Sequence, residues 1–384
     1  VAIFSKESAV TFLAIIPAAL YVFTSRPVRY IALRTLPYLV IFMAFFGVRT
    51  VVLGDRGALV GQKEAPVAEL MNDPFLKWQG NRYIPFESAE RQATILYTWG
   101  KYVGLLAYPK TLTNDYYPKH IRTDKDRIPA FDMPMVMGSL LLHVALFGLM
   151  FLGLYRRRAW GFFILFYLAT FSVVSNLIFP IGTNMAERFM FLPSVGFSGL
   201  CALGLYAFAK RLQKPEQSLQ QALSTPTVLL VGVVLLYSGK TFSRNWAWYD
   251  DYTLFTTDIV NSPHSAKLNN AVSGVLQARA PQIPDAFQRN VSLEQALRHS
   301  TIATNLHPRY NSAWLLHGNA HIMLAENALQ RADLSQVAND QQTLRKQAFD
   351  RTGEGLKSYA MVQKLRPNHP DIHKNLGVAH RMRD

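Results

Sequence analysis

Apolar runs divide this chain unevenly. Residues 1 to about 242 contain repeated runs long enough to cross a bilayer core, which takes about 17–25 helical residues. Residues from about 243 onward are polar, rich in Ala, Asn, Gln and His, and hold no such run. The pattern predicts spans at 8–24, 36–53, 134–154, 159–178, 192–209 and 226–242, with Lys240 snorkelling out of the last. A seventh stretch, 93–108, mixes Tyr97, Trp99, Lys101 and Tyr102 into its apolar run. Such a blend suits the membrane interface and predicts a re-entrant or interfacial helix. Because the runs recur, none reads as a cleavable leader. The chain opens inside an apolar run, Val1-Ala2-Ile3-Phe4, and closes at Arg381-Met382-Arg383-Asp384 partway through a repeat, so it reads as an internal segment of a longer protein.

Beyond residue 242 a different periodicity takes over. Pro308 is followed by Trp314, His317, Gly318 and His321, and Pro367 at the same offsets by His373, Leu376, Gly377 and His380. Pro263 is followed more loosely by Asn269, Val272 and Ser273. An aromatic, then a large residue and Gly, then another ring, with Pro closing the second helix, is the pattern of a tetratricopeptide-like repeat. The proline spacings, 45 and 59 residues, exceed the usual unit of about 34. The extra length falls mainly at 325–345 and predicts a longer loop or longer helices. The expected fold is all-α: a polytopic transmembrane helix bundle over 1–242 with outer loops within 54–133, then an α-solenoid over 243–384. A generic helical bundle is the plainer alternative for the second part.

Loop charge sets orientation, since Lys and Arg favour cytoplasmic loops. The segments 25–35, 155–158 and 210–225 hold nine Lys/Arg and one acid, whereas 54–92 and 110–133 hold ten basic and ten acidic residues. The first three are expected in the cytoplasm and everything after the sixth span outside. That parity requires 93–108 not to cross. These loops account for part of the net charge of +15, and no basic face with aromatic stacking points to nucleic acid. The single Cys201 excludes an internal disulfide and a cysteine metal cluster.

Ionisable residues at membrane depth are functional candidates by default. Four sets fall at the expected outer face: Lys6-Glu7 before the first span, Asp115-Tyr116-Tyr117 with His120, Glu187-Arg188 between Pro180 and Pro193, and Arg244 to Trp248. Arg49, near the outer end of the second span, is a weaker fifth. Each also has an ordinary structural reading: a charged helix junction, a solvated turn, a snorkelling flank, an interfacial anchor. Together they fit a site that holds a lipid-linked phosphate through Lys and Arg while a carboxylate acts as base.

The segment Ala186-Glu187-Arg188-Phe189-Met190-Phe191-Leu192-Pro193-Ser194-Val195-Gly196-Phe197 resembles the hallmark of the transmembrane and tetratricopeptide-repeat O-mannosyltransferases and their bacterial relatives. Ser5-Lys6-Glu7-Ser8-Ala9 resembles their Lys-Glu junction, and Gly100-Lys101-Tyr102 through Asp115-Tyr116 their middle outer loop. Arg244-Asn245 to Trp248 resembles their membrane-to-repeat linker. The ordered set covers nearly the whole chain. The resemblance implies a C-type glycosyltransferase fold and transfer of a sugar from a polyprenyl phosphate to a protein hydroxyl at the outer or lumenal face. Such enzymes carry their acidic catalytic residue in the first outer loop, so that carboxylate is expected upstream of Val1. Many also use a divalent metal, for which no ligand spacing is legible. In this reading Lys6, Arg188 and Arg244 neutralise the carrier phosphate, Glu7 and Glu187 orient those cations or the sugar, Asp115 and Tyr116 line the acceptor or sugar cleft, and the repeats bind the acceptor protein. The competing expectation is a non-catalytic membrane scaffold that assembles envelope proteins through its repeats. A transporter is weaker, lacking inverted repeats and matching broken spans. Few cysteines and short loops favour a bacterial cytoplasmic membrane with the repeats outside. In an endoplasmic reticulum membrane, Asn290-Val291-Ser292 would be a glycosylation sequon.

Overall fold

The structure is a computed structural model that describes residues 3, 6–53, 73–79, 82–116, 127–213 and 218–383. Tyr117, His120, Lys214 and residues 54–72 of the 54–92 segment named above lie outside the described residues. The chain divides into two compact units. The first comprises Val1–Lys110 and Ile121–Ser243, the second Thr111–His120 and Arg244–Asp384. The segment around Asp115, expected among the outer loops of the membrane part, therefore groups with the repeats.

Among the described residues, the first unit contains seven α-helices: α1 (Phe12–Phe23), α2 (Val28–Leu53), α3 (Ser88–Ala107), α4 (Pro134–Tyr155), α5 (Ala159–Ser172), α6 (Pro193–Leu212) and α7 (Leu219–Asn245). Among the described residues, three stretches are long and apolar enough to cross a membrane: Val28–Val52, Pro134–Tyr155 and Pro226–Trp248. The other three expected spans are also helical but differ. Ser8–Phe23 and Ala159–Ser172 are shorter apolar helices. In α6, apolar positions are thinned by Ser194 and Ser198, and Lys210 and Arg211 occupy its last turn. The largest departure is at 159–178, where the helix stops at Ser172. The hydroxyls of Ser172 and Ser175 turn back onto Ala169 O and Ser172 O, and Asn176 adopts φ 60°, a left-handed conformation that Asn tolerates.

Packing within this unit relies on small residues, as membrane helices do when no water-driven force separates protein from lipid. A Cβ on Gly153 of α4 would lie 2.5 Å from Gly161 Cα of α5. One on Gly196 of α6 would lie 2.6 Å from Tyr167 N of α5. The α4–α5 turn ends on Arg157 at φ 47°, with Arg158 N donating to Gly153 O at 2.8 Å. The Arg157 guanidinium covers the Tyr21 ring at 4.4 Å. Lys240, expected to snorkel, finds a backbone acceptor in Lys110 O at 3.0 Å. Before α3 a short antiparallel hairpin pairs β1 (Leu76–Gln79) with β2 (Arg82–Pro85). Lys77 binds both carboxylate oxygens of Glu90 at 2.8 Å, tying the hairpin to the first turn of α3.

Among the described residues, the second unit contains six α-helices: α8 (Asp251–Asp258), α9 (Ala266–Arg279), α10 (Ala286–Leu306), α11 (Asn311–Leu334), α12 (Ala338–Leu365) and α13 (Ile372–Arg381). Helices α9 and α10 pack together, as do α11 and α12, and α13 packs on α12. The extra length at 325–345 resolves as longer helices, with Ser335–Val337 alone linking α11 to α12. Gly318 has the role its position implied, since a Cβ there would meet the Tyr359 ring at 2.5 Å. Trp314 Nε1 donates to Pro308 O at 2.8 Å, fixing the aromatic to its own preceding turn. At Gly377 an added Cβ would meet nothing within 4 Å.

Candidate functional site

The Glu187-Arg188 pair sits on a 3-10 turn, Glu187–Met190, within the irregular segment 173–192 between α5 and α6. Irregular backbone near a membrane must have its polar groups satisfied by protein, and here three side chains do so. Asn176 donates to Thr183 O at 2.9 Å and Asn184 O at 3.2 Å, and its carbonyl accepts from Ile181 N at 2.9 Å. Trp99 of α3 donates its indole N–H to Ser175 O at 3.0 Å. Tyr102, one turn further along α3, accepts from Ala186 N at 2.9 Å. Asn176, Tyr102 and Met185 are buried. On this platform Glu187 is half-buried and Arg188 exposed, its guanidinium 5.3 Å from the Phe189 ring centroid. The Tyr102 hydroxyl lies within electrostatic reach of both Arg188 and Glu187.

Lys6 is exposed at the N-cap of another 3-10 turn, Glu7–Thr11, which packs on α1 and α5. The Glu7 backbone opens that turn. Arg49 is half-buried near the end of α2. The structure thus gives the first unit Lys6, Glu7, Glu187 and Arg188, each cation–carboxylate pair on its own short turn.

Asp115, Tyr116 and Arg244 belong to the second unit. Arg244 donates through both terminal nitrogens to Asp258, at 2.5 and 2.7 Å, and Asp258 is fully buried. The same carboxylate accepts from Asn114 N at 2.7 Å. Alongside, Ser262 donates to Thr113 Oγ1 at 3.0 Å, Asn261 to Leu112 O at 3.2 Å, and Ser265 to Asp115 Oδ2 at 2.7 Å. Tyr116 is buried, and burial, with the charge of Asp115, pushes the Tyr310 hydroxyl up to about 12. Segment 111–116 is therefore a strap bound to the start of the repeats. The guanidinium expected to meet a carrier phosphate is instead committed to a buried bidentate pair. Sequence reasoning missed Asp258, Trp99, Tyr102 and Asn176. Only Trp99 and Tyr102 left a signal, as polar-tipped aromatics spaced i, i+3 in an apolar run. Among the described residues no group of three or more His, Cys, Asp or Glu could hold a metal ion.

Fold and site define the class: an α-helical integral membrane protein with a structured Glu–Arg turn, continued by a unit of paired helices. Within that class the chain is similar to protein O-mannosyl-transferases, as the sequence motifs implied. It is 30% identical over 206 residues to Protein O-mannosyl-transferase TMTC3 of Homo sapiens, covering 54% of this chain and 19% of that protein. It is 31% identical over 150 residues to TMTC1 of Mus musculus, covering 39% of this chain and 14% of that protein. It is 37% identical over 117 residues to Tmtc1 of Drosophila melanogaster, covering 30% and 13%. The chain spans less than a fifth of the length of each of these relatives. No family model and no solved structure matches it.

Proposed function

We propose that this chain is part of a membrane glycosyltransferase that moves a sugar from a polyprenyl-phosphate donor to a protein hydroxyl on the extracytoplasmic side, the repeats binding the acceptor. The observation that carries the reading is the similarity, over more than half the chain, to a relative named a protein O-mannosyl-transferase. That name also makes mannose the first sugar to test. In the reaction the acceptor oxygen attacks the anomeric carbon, the bond from that carbon to the phosphate oxygen breaks, and the polyprenyl phosphate leaves. The acceptor proton passes to a carboxylate base. Negative charge gathers on the leaving phosphate, and fixed cations beside it stabilise the transition state. Arg188, exposed on a braced turn, suits that task through its planar fork, with Lys6 as second cation. Glu187 and Glu7 orient the cations or the sugar. Arg244 drops out of this role because Asp258 occupies it. Asp115 and Tyr116, built into the strap on the repeats, go with the acceptor side.

The test is transfer by the full-length protein in membranes, with radiolabelled polyprenyl-phosphate mannose and a hydroxyl-bearing acceptor protein. Label in protein, dependent on the lipid-linked donor, is the expected result. Neither transfer to any acceptor nor donor hydrolysis would leave the non-catalytic scaffold as the better account.

A further inference from the structure

We propose that Tyr102 is a positioning residue for the donor site: its buried hydroxyl sets the Glu187–Met190 turn so that Arg188 meets the carrier phosphate. The inference rests on the donor role given to Arg188 above. Ala186, the N-cap of the turn, is extended at φ −154° and ψ 135°, and its methyl side chain offers the turn no cap. Its amide donates instead to Tyr102 Oη at 2.9 Å. Tyr102 is 1% exposed, and its ring packs edge-on against Phe171 at 5.5 Å. Three residues earlier Trp99 holds the other end of the segment at Ser175 O. Residues three apart share one face of a helix, so a single turn of α3 grips segment 173–192 at Ser175 and at Ala186, while Asn176 ties the stretch between them. The turn itself has only four residues, so its direction depends on what its ends are tied to. A fixed cation contributes to catalysis only if it is aimed where charge develops, and displacements near 1 Å cost about a hundredfold.

The experiment uses the full-length protein in lipid nanodiscs, comparing wild type, Tyr102→Phe, Trp99→Phe and Arg188→Ala. Hydrogen exchange at 183–190 is followed beside transfer from polyprenyl-phosphate mannose. Tyr102→Phe keeps the ring and deletes the acceptor, leaving the Ala186 N–H buried and unpaired. Exchange at 183–190 should quicken about tenfold or more. The donor kcat/KM should fall by a similar factor while the acceptor KM stays put. Trp99→Phe should act in the same direction. Faster exchange with unchanged transfer in Tyr102→Phe, while Arg188→Ala is inactive, overturns the positioning role and spares the donor site. Unchanged exchange also overturns it. Full transfer by Arg188→Ala overturns the donor site and the positioning role together.

Discussion

The membrane unit and the repeat unit each contain an arginine that the sequence selects for the same task, and they treat it in opposite ways. Arg188 stands exposed on a short turn whose backbone, not its guanidinium, is held by buried side chains. Arg244 has its guanidinium locked onto the fully buried Asp258, which also caps the Asn114 amide. The first arrangement keeps a cation in solvent at little cost and braces its base. The second takes both charges out of water, which is tolerable only while the partners remain together. An arginine braced from below is placed to meet a ligand, the role proposed for Arg188, and one clamped at its head serves the fold.

The largest effect expected from this contrast lies in the clamp. Asp258→Ala leaves the Arg244 charge buried without its carboxylate and should destabilise the repeat unit by about 3–5 kcal/mol. Quickened hydrogen exchange across α8 and α9 would report it, and an unchanged profile would mean the pair is not structural.

Next comes pH. Burial, then the charges of His317 and Arg351, hold the His321 imidazole well below its ordinary value, at about 4, against a smaller opposing effect of Glu354. The folded state therefore resists a proton that the unfolded chain accepts. Stability should be full above about pH 6.5, fall as pH drops towards about 4, and level off below that, a loss on the order of 1–3 kcal/mol. His299 and His317, lowered chiefly by burial, add in the same direction. Thermal melts of the repeat unit's signal between pH 7 and 4 would show the slope, and His321→Phe should flatten it.

An effect of the same order is expected at Gly318→Ala, whose methyl meets the Tyr359 ring and should cost about 1–3 kcal/mol. Gly377→Ala, with open space around it, serves as the neutral control. The last expectation changes no energy. Cys201 lies within α6, and a Cys201→Ser background keeps it silent in labelling. Val337→Cys in the repeats should then react with a charged maleimide from outside intact cells. Ser88→Cys and Thr111→Cys, flanking 93–108, should do the same, and Gln213→Cys should react only after permeabilisation. Opposite sidedness for the Ser88 and Thr111 probes would make 93–108 a crossing helix and reverse the orientation argument.

Most of the fold was legible in the sequence because hydropathy and periodicity act along a single helix. Each of the six expected spans contains helix, five of them along nearly their whole length, and the proline–ring–glycine offsets marked the repeat helices. What escaped was set by contacts between distant residues. The helix at 159 stops at Ser172 because serine hydroxyls and a left-handed Asn176 redirect the chain, which a hydropathy window cannot register. Asp258 reads as an ordinary acid at the end of a short helix until Arg244 and Asn114 close around it. The strap at 111–116 looked like a membrane loop because its neighbours in sequence are apolar, while its hydrogen-bond partners lie about 150 residues further on.

The central claim is that Arg188 serves chemistry and Arg244 serves the fold. It is tested most directly by transfer from polyprenyl-phosphate mannose, measured with hydrogen exchange in the same full-length preparations of Arg188→Ala, Arg188→Lys and Arg244→Ala. Arg188→Ala should lose transfer by about a hundredfold or more with native exchange throughout. Arg188→Lys should be impaired as well, since ammonium lacks the planar fork. Arg244→Ala should loosen α8 and α9. Native transfer by Arg188→Ala, or native exchange in Arg244→Ala, would contradict the account.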